Sequence, residues 1–260
     1  MTSLARGSAL SMNLTRAALI LVPALVYEWA TRAAVLDPFT FIPLSDILTS
    51  MWGLLTDEKF LTSALIPSLT NILLSVVLSG VIGILVGILL WRYEALYKSV
   101  HPYLLLYYAI PTFALYPLFI VLFGVGRTAI VSLAVLFAVV IVIANTALGL
   151  RGTRRVWIKV GKSMELTAWQ MLRNVYLPAA WPSIFTGLRL AVSYAVITVI
   201  ATEFILATAG LGHEIAFAYN NFDLHAMYGG IALVVVAVVT INMSLTYVQA
   251  RIYGRDLEGK

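Results

Sequence analysis

The histidines and one short glycine-containing motif are the residues with which this sequence could do covalent or metal chemistry. His101, His213 and His225 are isolated and lack the spacing of metal ligands, which favours packing or interfacial roles. The triplet Gly161-Lys162-Ser163 resembles the end of a phosphate-binding loop, but that loop needs a glycine five residues earlier, where Val156 stands. The sequence therefore predicts no catalytic residue, no metal site and no cofactor of its own.

The composition places the chain in a lipid bilayer. Of its 260 residues, 61% are hydrophobic and 11% are charged, against about 45–50% and about 25% in soluble domains. A soluble fold of this size cannot bury so much apolar surface, so the excess must face lipid. The absence of cysteine excludes disulfides and thiolate metal sites. The net charge of +5 reflects membrane topology rather than nucleic-acid binding.

Six segments are long and apolar enough to cross a bilayer, which takes about 20 helical residues. The first carries Glu28 and Arg32, which are one helical turn apart and can form an ion pair near the membrane boundary. It also imitates a secretory signal, and we interpret it as an uncleaved span. The expected fold is an all-α integral membrane protein, with residues 1–260 forming one membrane domain and no soluble domain. The predicted spans are about 17–35, 59–92, 98–127, 127–151, 181–209 and 224–250.

The distribution of the basic residues predicts which connecting segments face the cytoplasm. Of the 17 Lys and Arg residues, all but Arg32, Lys59 and Arg127 fall in the segments that share a side with the two termini. Basic loops stay cytoplasmic, so both termini and the loop 151–180 are expected in the cytoplasm. On the opposite side, residues 37–59 predict a short amphipathic surface helix with Ser45 as its N-cap.

Prolines predict a break in the third span. Pro111 and Pro117 each lack a backbone N–H, and interrupted membrane helices often lie beside a translocation site. Aromatic residues nearby could line such a pathway, although plain packing explains them equally well. In the second span, Gly83 and Gly87 form a G-x-x-x-G pattern that indicates close helix packing. The predicted pathway residues are Tyr107, Tyr108, Pro111, Phe113, Tyr116, Pro117 and Glu203.

Glu203 is the ionisable residue with the most unusual position. It lies about 21 Å beyond Arg189 along a helix, in the outer half of the predicted fifth span. An intramembrane carboxylate is a functional candidate by default. A structural hydrogen bond to a neighbouring span or to a partner subunit fits the sequence equally well.

The longest polar stretch, residues 151–181, carries the most specific pattern. Its bulky apolar residues predict a short amphipathic helix that lies on the bilayer or fits a groove in a partner. The run from Gly161 to Gln170, followed by Val175-Tyr176-Leu177-Pro178-Ala179-Ala180-Trp181-Pro182 and Gly187-Leu188-Arg189, resembles the permease subunits of binding-protein-dependent ABC importers. Their cytoplasmic loop reads E-A-A-x3-G-x9-I-x-L-P. With Leu177-Pro178 as the anchor, Lys159 stands at the glutamate and Glu165 at the glycine.

The resemblance extends over residues 42–252 and is strongest to the nitrate, sulfonate and taurine branch. Two further motifs carry it, Ile110-Pro111 through Gly126 and Glu203 with Gly210-Leu211-Gly212. It implies a type I ABC importer permease with a cytoplasmic coupling helix, in the cell (inner) membrane. The implied partners are ATP-binding subunits that hold ATP and Mg²⁺, a second permease subunit forming a homodimer, and an extracytoplasmic solute-binding protein. The implied ATPase-coupling residues are Lys159, Val160, Gly161, Met164, Glu165, Leu166, Thr167, Trp169, Leu177 and Pro178.

Two departures from the family pattern concern the docking of the ATPase. Glycine at a loop turn usually supplies a backbone with positive φ, which is costly for the glutamate at position 165. Either the turn differs here or the docking surface has changed. The replacement of an acidic residue by Lys159 would suit an acidic partner surface.

The function expected from this resemblance is the pore subunit of an ATP-driven importer of a small solute, without bond chemistry in this chain. One alternative is a proton-coupled secondary transporter with Glu28 and Glu203 as carriers, although no inverted repeat is visible. Another is a non-transporting membrane assembly factor. The lack of Lys or Arg deep in a span indicates no anion site in the pore.

Overall fold

The computed structural model describes residues 2–107 and 110–257, apart from the side chains of 2–14, 16–17, 105, 112–113, 206, 250 and 252–257. These residues form helices and connecting turns, without a β-strand in the described ranges. The helices are α1 (Thr2–Arg32), α2 (Leu44–Thr56), α3 (Glu58–Phe60), α4 (Ile66–Arg92), α5 (Glu94–Tyr107), α6 (Tyr116–Phe123), α7 (Arg127–Arg151), α8 (Arg155–Ser163), α9 (Ala168–Met171), α10 (Leu177–Leu206), α11 (Leu211–Asn220) and α12 (Leu224–Leu257). The all-helical prediction is confirmed.

Among the described residues, four continuous helical segments are long and apolar enough to cross a membrane. They are Glu58–Arg92, Arg127–Arg151, Ala168–Ile205 and Leu224–Gln249. They coincide with four of the predicted spans, although Ala168–Ile205 begins well before residue 181. The predicted first span lies within α1, which ends at Arg32, and its crossing of the membrane stays a prediction.

The predicted third span is interrupted, as its prolines indicate. Helix α5 and helix α6 are separate, and the described residues between them include a 3₁₀ turn, Thr112–Leu115. Pro117 occupies the first turn of α6, where its missing N–H has no helical partner to lose. If the predicted third span crosses the membrane, this break places irregular backbone at membrane depth, which requires surrounding protein or a polar cavity.

Contacts within the chain divide it into two compact units, Met1–Leu61 with Ile215–Val234, and Thr62–Glu214 with Val235–Lys260. In the first unit, Arg32 Nε lies 2.6 Å from Glu28 Oε1, so the predicted ion pair is confirmed. Ser45 does not cap α2 as predicted, because Pro43 is the N-cap. Ser45 instead donates its N–H and its hydroxyl to Glu28, at 3.2 and 2.9 Å.

The second unit is organised around α7, which packs between α4 and α10. Of its span, 61% is buried. Glycines allow the close approach: a Cβ at Gly83 would lie 2.5 Å from Cβ of Val142, and one at Gly87 equally close to Cβ of Thr146. The predicted close packing of the G-x-x-x-G pattern is therefore confirmed, and a methyl group at either glycine would separate α4 from α7.

An ion pair joins the start of α5 to the end of α7. Arg151 Nη1 lies 2.8 Å from Glu94 Oε2, and the Arg151 guanidinium stacks 3.6 Å from the centre of the Tyr97 ring. The hydrogen bond from Arg151 lowers the pKa of the Glu94 carboxyl below its usual value. Glu94 also pairs with Lys98 at 3.4 Å. Its carboxylate therefore has two cationic partners within the chain.

Candidate functional site

Helix α8 ends in a turn whose geometry explains the position of Glu165. The N–H of Leu166 donates to the carbonyl of Gly161 at 3.2 Å, and the N–H of Glu165 donates to that of Lys162 at 3.0 Å. These two bonds form a Schellman motif, in which the residue after the C-cap adopts a left-handed conformation. Glu165 does so, with φ of 52°. The turn therefore has the backbone conformation that a glycine would favour. Glu165 differs from the glycine of the family pattern in its side chain and not in its backbone.

A capping box starts the next helix two residues later. The Thr167 N–H donates to Gln170 Oε1 at 2.8 Å, and the Gln170 N–H donates to Thr167 Oγ1 at 3.4 Å. Both bonds satisfy N–H groups at the start of α9 that lack helical partners. Thr167 is thus the N-cap that starts the helical segment leading into α10.

A groove of about 500 Å³ lies between α8 and the segment that follows α9. Trp157, Val160 and Met164 line it with side chains that are about half to two-thirds exposed. On the other wall lie Val175 and Pro178. The predicted coupling residues Val160, Gly161, Met164, Leu166 and Pro178 all line this groove. Lys159, Glu165 and Trp169 are exposed outside it.

Helix α8 is packed directly onto the helix that leads into the membrane. A Cβ at Gly161 would lie 2.5 Å from Met171 Sδ and 3.1 Å from Val175 Cγ2. Residues Leu172–Tyr176 form a π-helical turn ahead of Pro178, which has no N–H to donate to the carbonyl four residues earlier. Leu177 then packs against Leu150 and Ile184. These contacts join α8 to the start of α10.

The aromatic residues predicted for the pathway differ in their surroundings. Tyr116 is fully buried in the core between α4, α7 and α10. Its hydroxyl has no hydrogen-bond partner within the described residues. Tyr107 is half-buried and donates its hydroxyl to the carbonyl of Leu136 at 3.0 Å. Tyr108 and the side chain of Phe113 lie outside the described residues, and the lining role of this set stays a prediction.

Glu203 lies in a closed polar site between α4 and α10. Its carboxylate is 0% exposed. It accepts hydrogen bonds from Ser68 Oγ at 2.5 Å, Asn71 Nδ2 at 3.0 Å and the Gly212 N–H at 3.3 Å. The Ser68 hydroxyl also accepts the Leu211 N–H at 2.7 Å. Three donors compensate the loss of hydration of the carboxylate.

The loop after α10 is pressed against this carboxylate. A Cβ at Gly210 would overlap the Glu203 carboxylate, and one at Gly212 would overlap the α10 backbone. Gly210 has φ of +111°, and its N–H donates to the Ser63 carbonyl at 3.1 Å. That carbonyl lies four residues before Pro67, which has no N–H to offer it. Hydrogen bonds and close packing therefore join Glu203, α4 and the segment 210–212.

The sequence interpretation missed the α4 residues of this network. Ser68, Asn71, Ser75 and Ser79 recur every three or four residues in an otherwise apolar span, and all four are buried. A polar stripe at helical spacing inside a membrane span was the available signal. It indicates a polar face on α4, but not which distant residue that face would meet.

Comparison with known proteins identifies the family. Residues 79–255 match the family model described as "Binding-protein-dependent transport system inner membrane component". The chain is 28% identical to the taurine transport system permease protein of Escherichia coli (strain K12), over 88% of this chain and 85% of that protein. It is 31% identical to a probable ABC transporter permease protein of Haemophilus influenzae, over 58% of this chain and 61% of that protein.

A solved structure supports the same fold. The inward-facing MetNI methionine ABC transporter contains a chain that matches with a TM-score of 0.64 and 21% identity, over 73% of this chain and 94% of that chain. The match shows the type I ABC importer permease fold. The family model covers well over half of the present sequence, and the fold agrees with it. This multi-pass membrane protein therefore belongs to the family of inner membrane components of binding-protein-dependent transport systems.

Proposed function

We propose that this chain is the pore subunit of an ATP-driven importer and that the α8 groove receives an ATP-binding subunit. The observation that carries the proposal is the groove itself, an apolar cleft between α8, which lies outside the four candidate spans, and the first turns of the span Ala168–Ile205. Exposed apolar side chains on a short amphipathic helix are the usual anchors for a partner. ATP and Mg²⁺ belong to that partner, which performs the hydrolysis.

The mechanism follows from the packing of α8. When two ATP-binding subunits close on ATP, they displace α8 of each permease subunit. Gly161 is packed against Met171 and Val175, so the displacement passes through the π-helical turn Leu172–Tyr176 into α10. Movement of α10 against α4 and α7 then opens the pathway toward the binding protein, and hydrolysis resets it.

The proposed assembly contains two copies of this permease, two ATP-binding subunits and an extracytoplasmic solute-binding protein in the cell (inner) membrane. Both termini lie in the cytoplasm. The resemblance to a taurine permease supports a small anion of the nitrate, sulfonate or taurine type as the solute. Recognition of that solute belongs to the binding protein.

The geometry of the two acidic candidates argues against proton-coupled transport. Glu28 is paired with Arg32 at 2.6 Å. Glu203 is enclosed by three hydrogen-bond donors and is fully buried. A proton carrier must exchange its proton with both sides of the membrane, and neither carboxylate is arranged for this.

The test is a pair of groove substitutions with a matched control. Val160→Asp and Met164→Asp each place a charge in the groove, whereas Ser163→Asp places one on the same helix outside it. Burial of one such apolar side chain contributes about 1.5–3 kcal/mol, so each groove variant should weaken ATPase retention at least tenfold. The control should retain it. Unchanged retention and coupled transport in both groove variants would assign docking elsewhere.

A further inference from the structure

A second groove, of about 630 Å³, lies between α4 and the α8–α9 segment. It is formed where the span Glu58–Arg92 ends and the span Ala168–Ile205 begins. Arg92, the first charged residue after the apolar run of α4, lines the groove, so the groove is expected at the level of the lipid headgroups. It shares Leu166 with the groove proposed for the ATPase, but Val160 and Met164 do not line it.

The two ends of this groove have different chemistry. Leu85 and Leu89 of α4 form one end, and they are 63% and 46% exposed. Arg92 lies further along α4, at the other end, and Lys162 of α8 also lines the groove. Leu85 is about 10 Å from Arg92 along the helix axis, whereas one headgroup layer is about 5–7 Å thick. The leucine end therefore reaches acyl-chain depth, where a soluble partner cannot follow.

The positive charges in the groove are uncompensated. Arg92 and Lys162 are exposed, and neither forms an ion pair within the described part of the chain. Glu94, two residues from Arg92, is committed to Arg151 and Lys98. No acidic residue lines the groove. Cations above an apolar wall complement a molecule with an anionic head and a hydrocarbon tail.

Aromatic side chains complete the site. Trp169 and Tyr93 line the groove and are 66% and 57% exposed. Trp and Tyr favour the boundary between headgroups and hydrocarbon. Their position beside Arg92 and Lys162 supports the depth inferred from the ends of the two spans.

We propose that this groove binds one anionic phospholipid per chain. Its phosphate lies between Arg92 and Lys162, and an acyl chain runs along Leu85 and Leu89. Basic pockets between membrane helices are typical sites for anionic headgroups. Since Arg92 ends α4 and Lys162 belongs to the last turn of α8, the lipid bridges the transmembrane helices and the coupling segment.

The proposal is tested with full-length protein in detergent, by native mass spectrometry with added dioleoylphosphatidylglycerol or dioleoylphosphatidylcholine. The wild type should bind one phosphatidylglycerol per chain about thirtyfold more tightly than phosphatidylcholine. The double variant Arg92→Gln/Lys162→Gln should lose this preference. The matched variant Arg155→Gln/Arg173→Gln removes the same charge from exposed positions outside the groove and should keep it.

Three results would overturn the proposal. They are equal binding of the two lipids by the wild type, a preference that survives in Arg92→Gln/Lys162→Gln, and displacement of the phosphatidylglycerol by a copurifying ATP-binding subunit. The last result would assign the groove to that subunit. Arg92 does not line the groove proposed for docking. If the lipid proposal fails, the docking test with the variants at Val160 and Met164 therefore remains valid.

Discussion

At the scale of single residues, the surroundings of Glu203 consist of hydrogen-bond donors to its carboxylate. Each hydrogen-bond donor to its carboxylate is neutral. Ser68 and Asn71 lie on successive turns of α4, and Gly212 lies in the first turn of α11. A buried donor without an acceptor costs about 1–3 kcal/mol. The carboxylate therefore holds three groups in place that would otherwise oppose the packing of this region.

Glu203→Gln and Glu203→Leu should therefore differ in free energy of unfolding. In the glutamine variant, the carbonyl oxygen accepts from Ser68 and Gly212, and the Asn71 amide flips to accept from the new NH₂ group. We expect a loss of about 1–2 kcal/mol and retained ATP-dependent uptake. The leucine variant leaves three donors unpaired and should lose several kcal/mol.

Thermal unfolding in detergent and uptake in proteoliposomes measure the difference. The double variant Glu203→Gln/Asn71→Asp moves the carboxylate to α4 and should recover part of the stability lost in Glu203→Gln. Equal stability of the leucine and glutamine variants would contradict the role of the network. Uptake that is abolished in Glu203→Gln, and that follows the proton gradient in the wild type, would favour a proton-coupled transporter.

At the scale of elements, the end of α8 carries a cost that the family pattern avoids. Glu165 adopts φ of 52°, a conformation that costs a residue with a Cβ about 1–2 kcal/mol. Glu165→Gly should therefore stabilise the turn by about 1 kcal/mol. Glu165→Ala removes the same charge but keeps the Cβ and should gain nothing from the backbone.

Thermal unfolding of the two variants, together with ATPase retention, checks this prediction. If alanine stabilised as much as glycine, the removed charge rather than the backbone would be the cause. If glycine stabilised without altering retention, the turn would be a purely structural feature of the docking segment. A change in retention common to both variants would show that the Glu165 carboxylate contacts the ATPase.

What the sequence could predict depends on how local the cause is. Four of the six predicted spans and the break at Pro111 follow from local composition, and the structure contains them. The partners of Glu203 could not be predicted, because Ser68 is 135 residues away and only the packed fold brings them together. The Ser45 cap was wrong because Glu28, 17 residues earlier, takes its N–H and hydroxyl.

At the scale of the whole molecule, charge rather than packing decides the orientation. Helices of the observed length and composition can insert in either direction. In the predicted six-span topology, only Arg32, Lys59 and Arg127 of the 17 basic residues lie in segments opposite the termini. Moving the basic loops across the membrane would require the translocation of the remaining Lys and Arg residues, which the positive-inside rule opposes. The loop that contains α8 is therefore expected in the cytoplasm, where ATP is available.

Single-cysteine labelling tests this orientation without background, because the sequence contains no cysteine. Thr56→Cys places a thiol at an exposed position just before the span Glu58–Arg92, and Arg155→Cys places one at the exposed first residue of α8. A membrane-impermeant maleimide should label position 56 in intact cells and position 155 only after permeabilisation, while the cysteine-free parent stays unlabelled. Labelling of position 155 from outside intact cells would place α8 away from any cytoplasmic ATPase and reject the proposed function together with the topology.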